Sequence, residues 1–171
     1  LLIQDEDGRF IIADKLIEMA EYFGYDGYFF NCEEAPYSYD VLKQWLYQLE
    51  SAGLYTQYYN TNSTFNASKA EWLYSDVDGD GVKEKIQDSV FVNYSSFSNV
   101  DSQIQFAEEN GYDPFEQVFF GVEANQGGFN GGHSSVSNLP NLYAEGTNNP
   151  RGSIALFTPS DMYHRGVDEV K

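Results

Sequence analysis

The feature that most constrains this chain is the way its apolar spacing switches between the period of a helix and the period of a strand. Residues 14–23 put Leu16, Ile17, Ala20 and Phe23 at helical spacing, with Asp14 as the expected N-cap and Gly24 as the expected stop. Gly27–Asn31 follows as a short aromatic strand. Residues 40–52 predict a second helix, with Val41, Leu42, Trp45, Leu46 and Leu49 on one face and Gly53 as its stop. Leu54–Tyr59 is strand-like, and Ser89–Tyr94 is the clearest strand by its β-branched and aromatic content. A helix is expected over 101–110, ending before Gly111, and further strands over Gln117–Val122 and Ser153–Phe157. Short strands separated mostly by helices or long loops imply a parallel sheet with covering helices.

Two architectures satisfy that pattern. One is an open α/β sheet. The other is a (β/α)8 barrel, which needs eight strands and typically about 250 residues. The chain has 171 residues, so a barrel reading leaves the first three β/α units outside it. The chain starts at Leu1 without an initiator Met and reads as a piece of a longer precursor. The segment from Glu123 to Arg151 is rich in Gly, Asn and Ser and far exceeds an ordinary connection. It fits the loop-bearing face of a barrel, where active sites sit.

Charge narrows the partners. With 27 acidic and 9 basic residues the formal net charge is −18, which repels phosphate backbones and anionic lipid surfaces. Nucleic acid is therefore not an expected partner, whereas a neutral oligosaccharide is indifferent to that field. Aromatic residues make up 17% of the chain, including 14 Tyr and 13 Phe. A flat apolar face with a polar handle suits a pyranose ring, although the same residues also fill cores. No apolar run is long enough to span a bilayer, no signal peptide is visible, and the single Cys32 allows no internal disulfide.

The sharpest local feature is Asn31-Cys32-Glu33. Residues two apart on a strand point to one face, so Asn31 and Glu33 would project together from a strand's C-terminal end. On spacing alone, such a pair is more often a turn or a solvated pair. Asp76, Asp78 and Asp80, with Gly81, look like the first half of a calcium loop, but the twelfth position is Gln87 where such loops place a bidentate Glu. A polar hairpin tip explains that segment equally well. His133 and His164 are isolated, and Ser134 and Ser135 beside His133 lack an orienting acid. Asn62, Asn66 and Asn93 open glycosylation sequons, which matter only in a eukaryotic secretory host.

The run from Ala13 to Glu34 resembles the signature of glycoside hydrolase family 85, in which a helix leads into a strand ending in Asn-x-Glu. The matching residues are Lys15–Glu18, Ala20–Gly27 and Asn31–Glu33. The likeness continues in order through Tyr59-Asn60-Thr61, Trp72, Asp88–Tyr94, Phe119–Glu123 and Ser153–Pro159. The chain departs from the family at Ser95-Ser96-Phe97, where many members carry a Trp, and at Asn125–Gly128, where many eukaryotic members carry an Arg.

The resemblance implies a (β/α)8 TIM barrel, of which residues 1–171 would be a single partial catalytic domain holding about the last five β/α units. It implies an endo-β-N-acetylglucosaminidase that cleaves the GlcNAc-β1,4-GlcNAc core of N-linked glycans with retention. Asn31 would orient the substrate's own 2-acetamido group, whose oxygen attacks the anomeric carbon, and Glu33 would serve as acid and then base, its pKa raised in a partly buried aromatic pocket. Tyr59, Trp72, Asn93 and Glu123 are the expected sugar contacts. No cofactor is required, with calcium at Asp76, Asp78 and Asp80 the sole metal candidate. The expected setting is an exported or cell-surface bacterial protein. A reading from another class is a non-catalytic carbohydrate-binding or adhesion module on a degenerate barrel.

Overall fold

The computed structural model describes residues 2–34, 38–94, 99–123 and 139–160. His133, His164, Ser134, Ser135 and the two segments at 95–97 and 125–128 lie outside the described residues. The chain divides into two compact units, one formed by Leu1–Asn60 with Ala67–Val90, the other by Thr61–Asn66 with Phe91–Lys171.

In the first unit the elements run α1 (Ile11–Phe23), β1 (Gly27–Asn31), α2 (Tyr39–Ser51), β2 (Tyr55–Tyr59), α3 (Ala67–Ala70), β3 (Tyr74–Ser75), β4 (Glu84–Lys85) and the first half of β5 (Ser89–Val92). The second unit holds the rest of β5, then α4 (Val100–Glu109), β6 (Val118–Glu123), a 3-10 turn at Leu139–Leu142 and β7 (Ser153–Phe157). The strand order is β1-β2-β5-β6-β7. β1 and β2 pair in parallel from Gly27↔Tyr55 to Asn31↔Tyr59, and β6 and β7 in parallel from Phe119↔Ser153 to Glu123↔Phe157. The α/β class is as expected, and all five strands fall where the sequence places them.

The differences have identifiable physical causes. α1 begins three residues before Asp14, with Phe10 at its N-cap and no side-chain cap of its own. Gln48 of α2 instead anchors the Phe10 backbone, accepting from its N–H at 2.8 Å and donating to its carbonyl at 3.2 Å. Asp14 turns to Arg9 and Gln48, and the Arg9 hydrogen bond holds its carboxyl below the usual range. The helix ends as predicted at Gly24, whose φ of 73° needs no Cβ. α2 is capped by Ser38, which accepts from Val41 N at 3.3 Å. β5 stops at Val92 because Asn93 leaves the ladder. β3 and β4 form an antiparallel pair whose turn carries Asp76–Val82, which is the hairpin-tip reading of that segment.

Strand alternation divides β1 into two faces. Tyr28 donates its hydroxyl to the Leu16 carbonyl at 2.7 Å, and Phe30 packs edge-on to Trp45 at 4.9 Å. Both therefore face the helices, and an aromatic pair of this kind adds about 0.5–1.5 kcal/mol beyond its area burial. Phe29 and Asn31 are left on the opposite face. The first unit's core is Leu46, Leu49, Leu73, Ile86, Val90 and Tyr58, and the second's is Val118, Phe120, Val122, Ala107 and Phe65, all nearly inaccessible.

Candidate active site

Asn31 ends β1, and its side-chain amide donates to Glu33 Oε1 at 3.0 Å. The two therefore project together, as the period of two requires. Both are exposed, so the partly buried pocket expected around Glu33 is not formed by the described residues. Between them, Cys32 N–H donates to the Tyr59 carbonyl at 2.9 Å, extending the β1–β2 ladder one step past Asn31. Cys32 lies beside the Tyr58 hydroxyl, and burial together with that contact pushes the phenol's pKa well up.

Tyr59 is the last residue of β2 and pairs in register with Asn31. It is mostly buried, and its ring lies near-parallel to Phe29 at 6.4 Å. Tyr59 thus shares the Asn31 face. Trp72 stands differently. It is 6% exposed, stacked on Tyr58 at 4.3 Å, with Lys43 Nζ 5.5 Å from its ring. Tyr58 alternates with Tyr59, so Trp72 packs behind β2 and not on the side of Asn31.

In the second unit, Asn93 N–H donates to the Asn62 carbonyl at 3.1 Å and its side-chain amide to the Thr61 carbonyl at 3.2 Å. Its Oδ1 accepts from Tyr94 N at 2.7 Å. Asn93 is thereby engaged as a corner after β5. Glu123 is the last residue of β6, half-buried and in register with Phe157. The approach of the strands here is tight, because a Cβ on Gly121 would lie 2.2 Å from the Phe91 ring.

Asp76, Asp78 and Asp80 bring carboxylate oxygens within 4.8 Å of one another, all exposed. Their oxygens already accept backbone N–H groups, Asp76 from Gly79 and Gly81, Asp78 from Asp80, and Asp80 from Val82. Gln87, at the expected twelfth position, is fully buried and so is not offered to a solvent-facing ion.

One residue that the sequence does not mark stands beside Tyr59 and Asn60, at the end of β2. Lys69 is fully buried on α3 and donates to Asn60 Oδ1 at 2.6 Å. A lysine in a polar stretch reads as a surface residue, so nothing in the sequence marks it. Among the described residues, no helix is long and apolar enough to cross a membrane.

An α/β chain with parallel strands and an amide–carboxylate pair at a strand's C-terminal end has the frame of part of a (β/α) barrel, whose active sites sit at that end. Residues 1–169 match the model of glycosyl hydrolase family 85, and the chain belongs to that family. No curated protein and no solved structure matches it.

Proposed function

We propose that this chain is part of an endo-β-N-acetylglucosaminidase that cleaves the GlcNAc-β1,4-GlcNAc core of N-linked glycans. The observation that carries the reading is the Asn31–Glu33 pair at the end of β1 in a family 85 chain. Most retaining glycosidases need a second carboxylate as nucleophile. Here the pair is one carboxylate and one amide, which suits a nucleophile supplied by the substrate. The 2-acetamido oxygen attacks C1 as the bond to the leaving GlcNAc oxygen breaks, and Glu33 gives its proton to that oxygen. The resulting oxazolinium is opened by a water that Glu33 deprotonates, which restores the acetamide and retains the configuration. Asn31 Nδ2 holds Glu33, and its Oδ1 would accept the acetamido N–H as the imidate develops. A bound glycan would exclude water from the exposed Glu33 and complete the pocket.

Tyr59, Asn93 and Glu123 are proposed as sugar contacts at strand ends. Trp72, stacked on Tyr58, is proposed to support β2 from behind, leaving a smaller part in sugar stacking than its residue type suggests. Asn31→Ala is expected to slow glycan release about 100- to 1,000-fold, yet to leave hydrolysis of a preformed sugar oxazoline largely intact. Release at the parental rate, followed by chromatography of the freed glycan, would refute substrate assistance.

No cofactor enters these steps. Calcium at Asp76, Asp78 and Asp80 would serve the β3–β4 turn and not the reaction. EDTA is therefore expected to leave the turnover number unchanged, and a loss restored by calcium would contradict this. The remaining β/α units are proposed to lie in a longer parent chain. Supporting this, β1 and β7 are the terminal strands in the order, with Phe29 and Leu156 on them 44% and 47% exposed. A 1–171 segment releasing glycan as fast as a longer chain would sink that reading. Secretion or display on a bacterial surface fits a glycoprotein substrate, and purely cytosolic protein on cell fractionation would argue against it. A non-catalytic carbohydrate-binding or adhesion module is the alternative, disfavoured by the presence of both Asn31 and Glu33.

A further inference from the structure

Burying an ammonium is expensive, and a Met or Leu of similar volume would fill the same space without that cost. Lys69 is nevertheless fully inaccessible. It sits on α3, a single four-residue turn too short to be stable by itself, so tertiary contacts fix its place. Its Nζ donates to Asn60 Oδ1 at 2.6 Å and stands 6.0 Å from the centre of the Tyr59 ring, at the edge of cation–π range. Those two residues form the corner where β2 ends. Tyr59 in turn faces Asn31 in register, takes the Cys32 N–H on its carbonyl, and lies against Phe29. An unbroken set of contacts therefore runs from Nζ through Asn60 and Tyr59 to the backbone between Asn31 and Glu33.

We infer that Lys69 is a positioning residue, whose amino group fixes the Tyr59–Asn60 corner against which the Asn31–Glu33 pair is set. Its effect on turnover rests on the glycosidase reading, whereas the mechanical coupling does not. Burial lowers the Lys69 pKa from the ordinary 10.5 to about 7. Perturbed buried groups cluster at functional sites, and this one lies against the corner that pairs with the Asn31 strand end.

The test uses the full-length protein with Lys69→Met, Asn60→Ala and the double substitution. Misplacement of reacting groups by about 1 Å costs on the order of 100-fold, so Lys69→Met is expected to lower kcat roughly 10- to 100-fold with KM nearly constant. Its Tm at neutral pH should fall by no more than a few degrees, because losing the desolvated amine offsets part of the cost of the lost bond to Asn60. Asn60→Ala should lose kcat similarly, and the double substitution should lose no more than either alone. In NMR spectra, the backbone amides of Asn31, Cys32 and Glu33 should shift on Lys69→Met whether or not the protein is active. An unchanged kcat at unchanged Tm, or losses that multiply in the double substitution, would overturn the inference. If Lys69→Met does not fold, Asn60→Ala carries the kinetic test. If the parental protein releases no glycan, the glycosidase reading fails, and unmoved amides would then separately overturn the positioning role.

Discussion

Glu33→Gln is expected to abolish glycan release while leaving glycan binding close to parental. The amide keeps the shape and can still meet Asn31, which now contacts Glu33 Oε1 at 3.0 Å. It cannot give a proton to the leaving GlcNAc oxygen or take one from water. General acid–base groups contribute about 100- to 10,000-fold, and Glu33 is asked to act in both steps, so the loss should reach the upper end of that range. The two quantities separate cleanly, turnover by chromatography of released glycan and affinity by calorimetry on an intact glycopeptide. Turnover within tenfold of parental would move the acid–base role to another residue. A parallel loss of affinity would instead place Glu33 in binding.

Gly27→Ala is expected to cost more stability than any other single-methyl addition to β1. A Cβ at Gly27 would lie 1.7 Å from the Tyr55 carbonyl oxygen, and 2.5 and 2.7 Å from its carbonyl carbon and its nitrogen. These are backbone atoms of the paired strand, at the first step of the β1–β2 register, and they cannot rotate away. Overpacking a core against side chains costs about 1–3 kcal/mol, and a backbone clash should meet or exceed the top of that range. For a chain of this size that corresponds to a Tm lowered by roughly 6–12 °C, or to insoluble protein. Activity should fall with it, because Asn31 is four residues along the displaced strand. A Gly27→Ala protein melting together with the parental one would mean that β1 and β2 do not pair in this register.

The glycine also marks where sequence stops being readable. Its place in the family signature is plain from the chain, but the reason for it is the Tyr55 backbone, and only the pairing reveals that. What local periodicity governs was legible. The five strands, α1, α2 and α4 follow from spacing alone, and so does the shared direction of Asn31 and Glu33. What distant partners decide was not. The start of α1 is set by Gln48, 38 residues beyond Phe10. The burial of Lys69 depends on how α3 meets the end of β2. The orientation of Trp72 follows from its stacking on Tyr58, although the residue type alone suggests a sugar platform. The two-residue strands β3 and β4 carry too little pattern to be recognised outside their hairpin.

Glu33, with Asn31, is proposed to cut the chitobiose core of N-linked glycans. That role is tested most directly by incubating the full-length protein with an N-glycosylated acceptor protein and measuring the acceptor's intact mass. Each occupied site is expected to fall to a single remaining GlcNAc, and the Glu33→Gln protein to leave the mass unchanged. An acceptor mass unaltered by the parental protein, on both high-mannose and complex glycans, would contradict the claim and leave the carbohydrate-binding module as the better description.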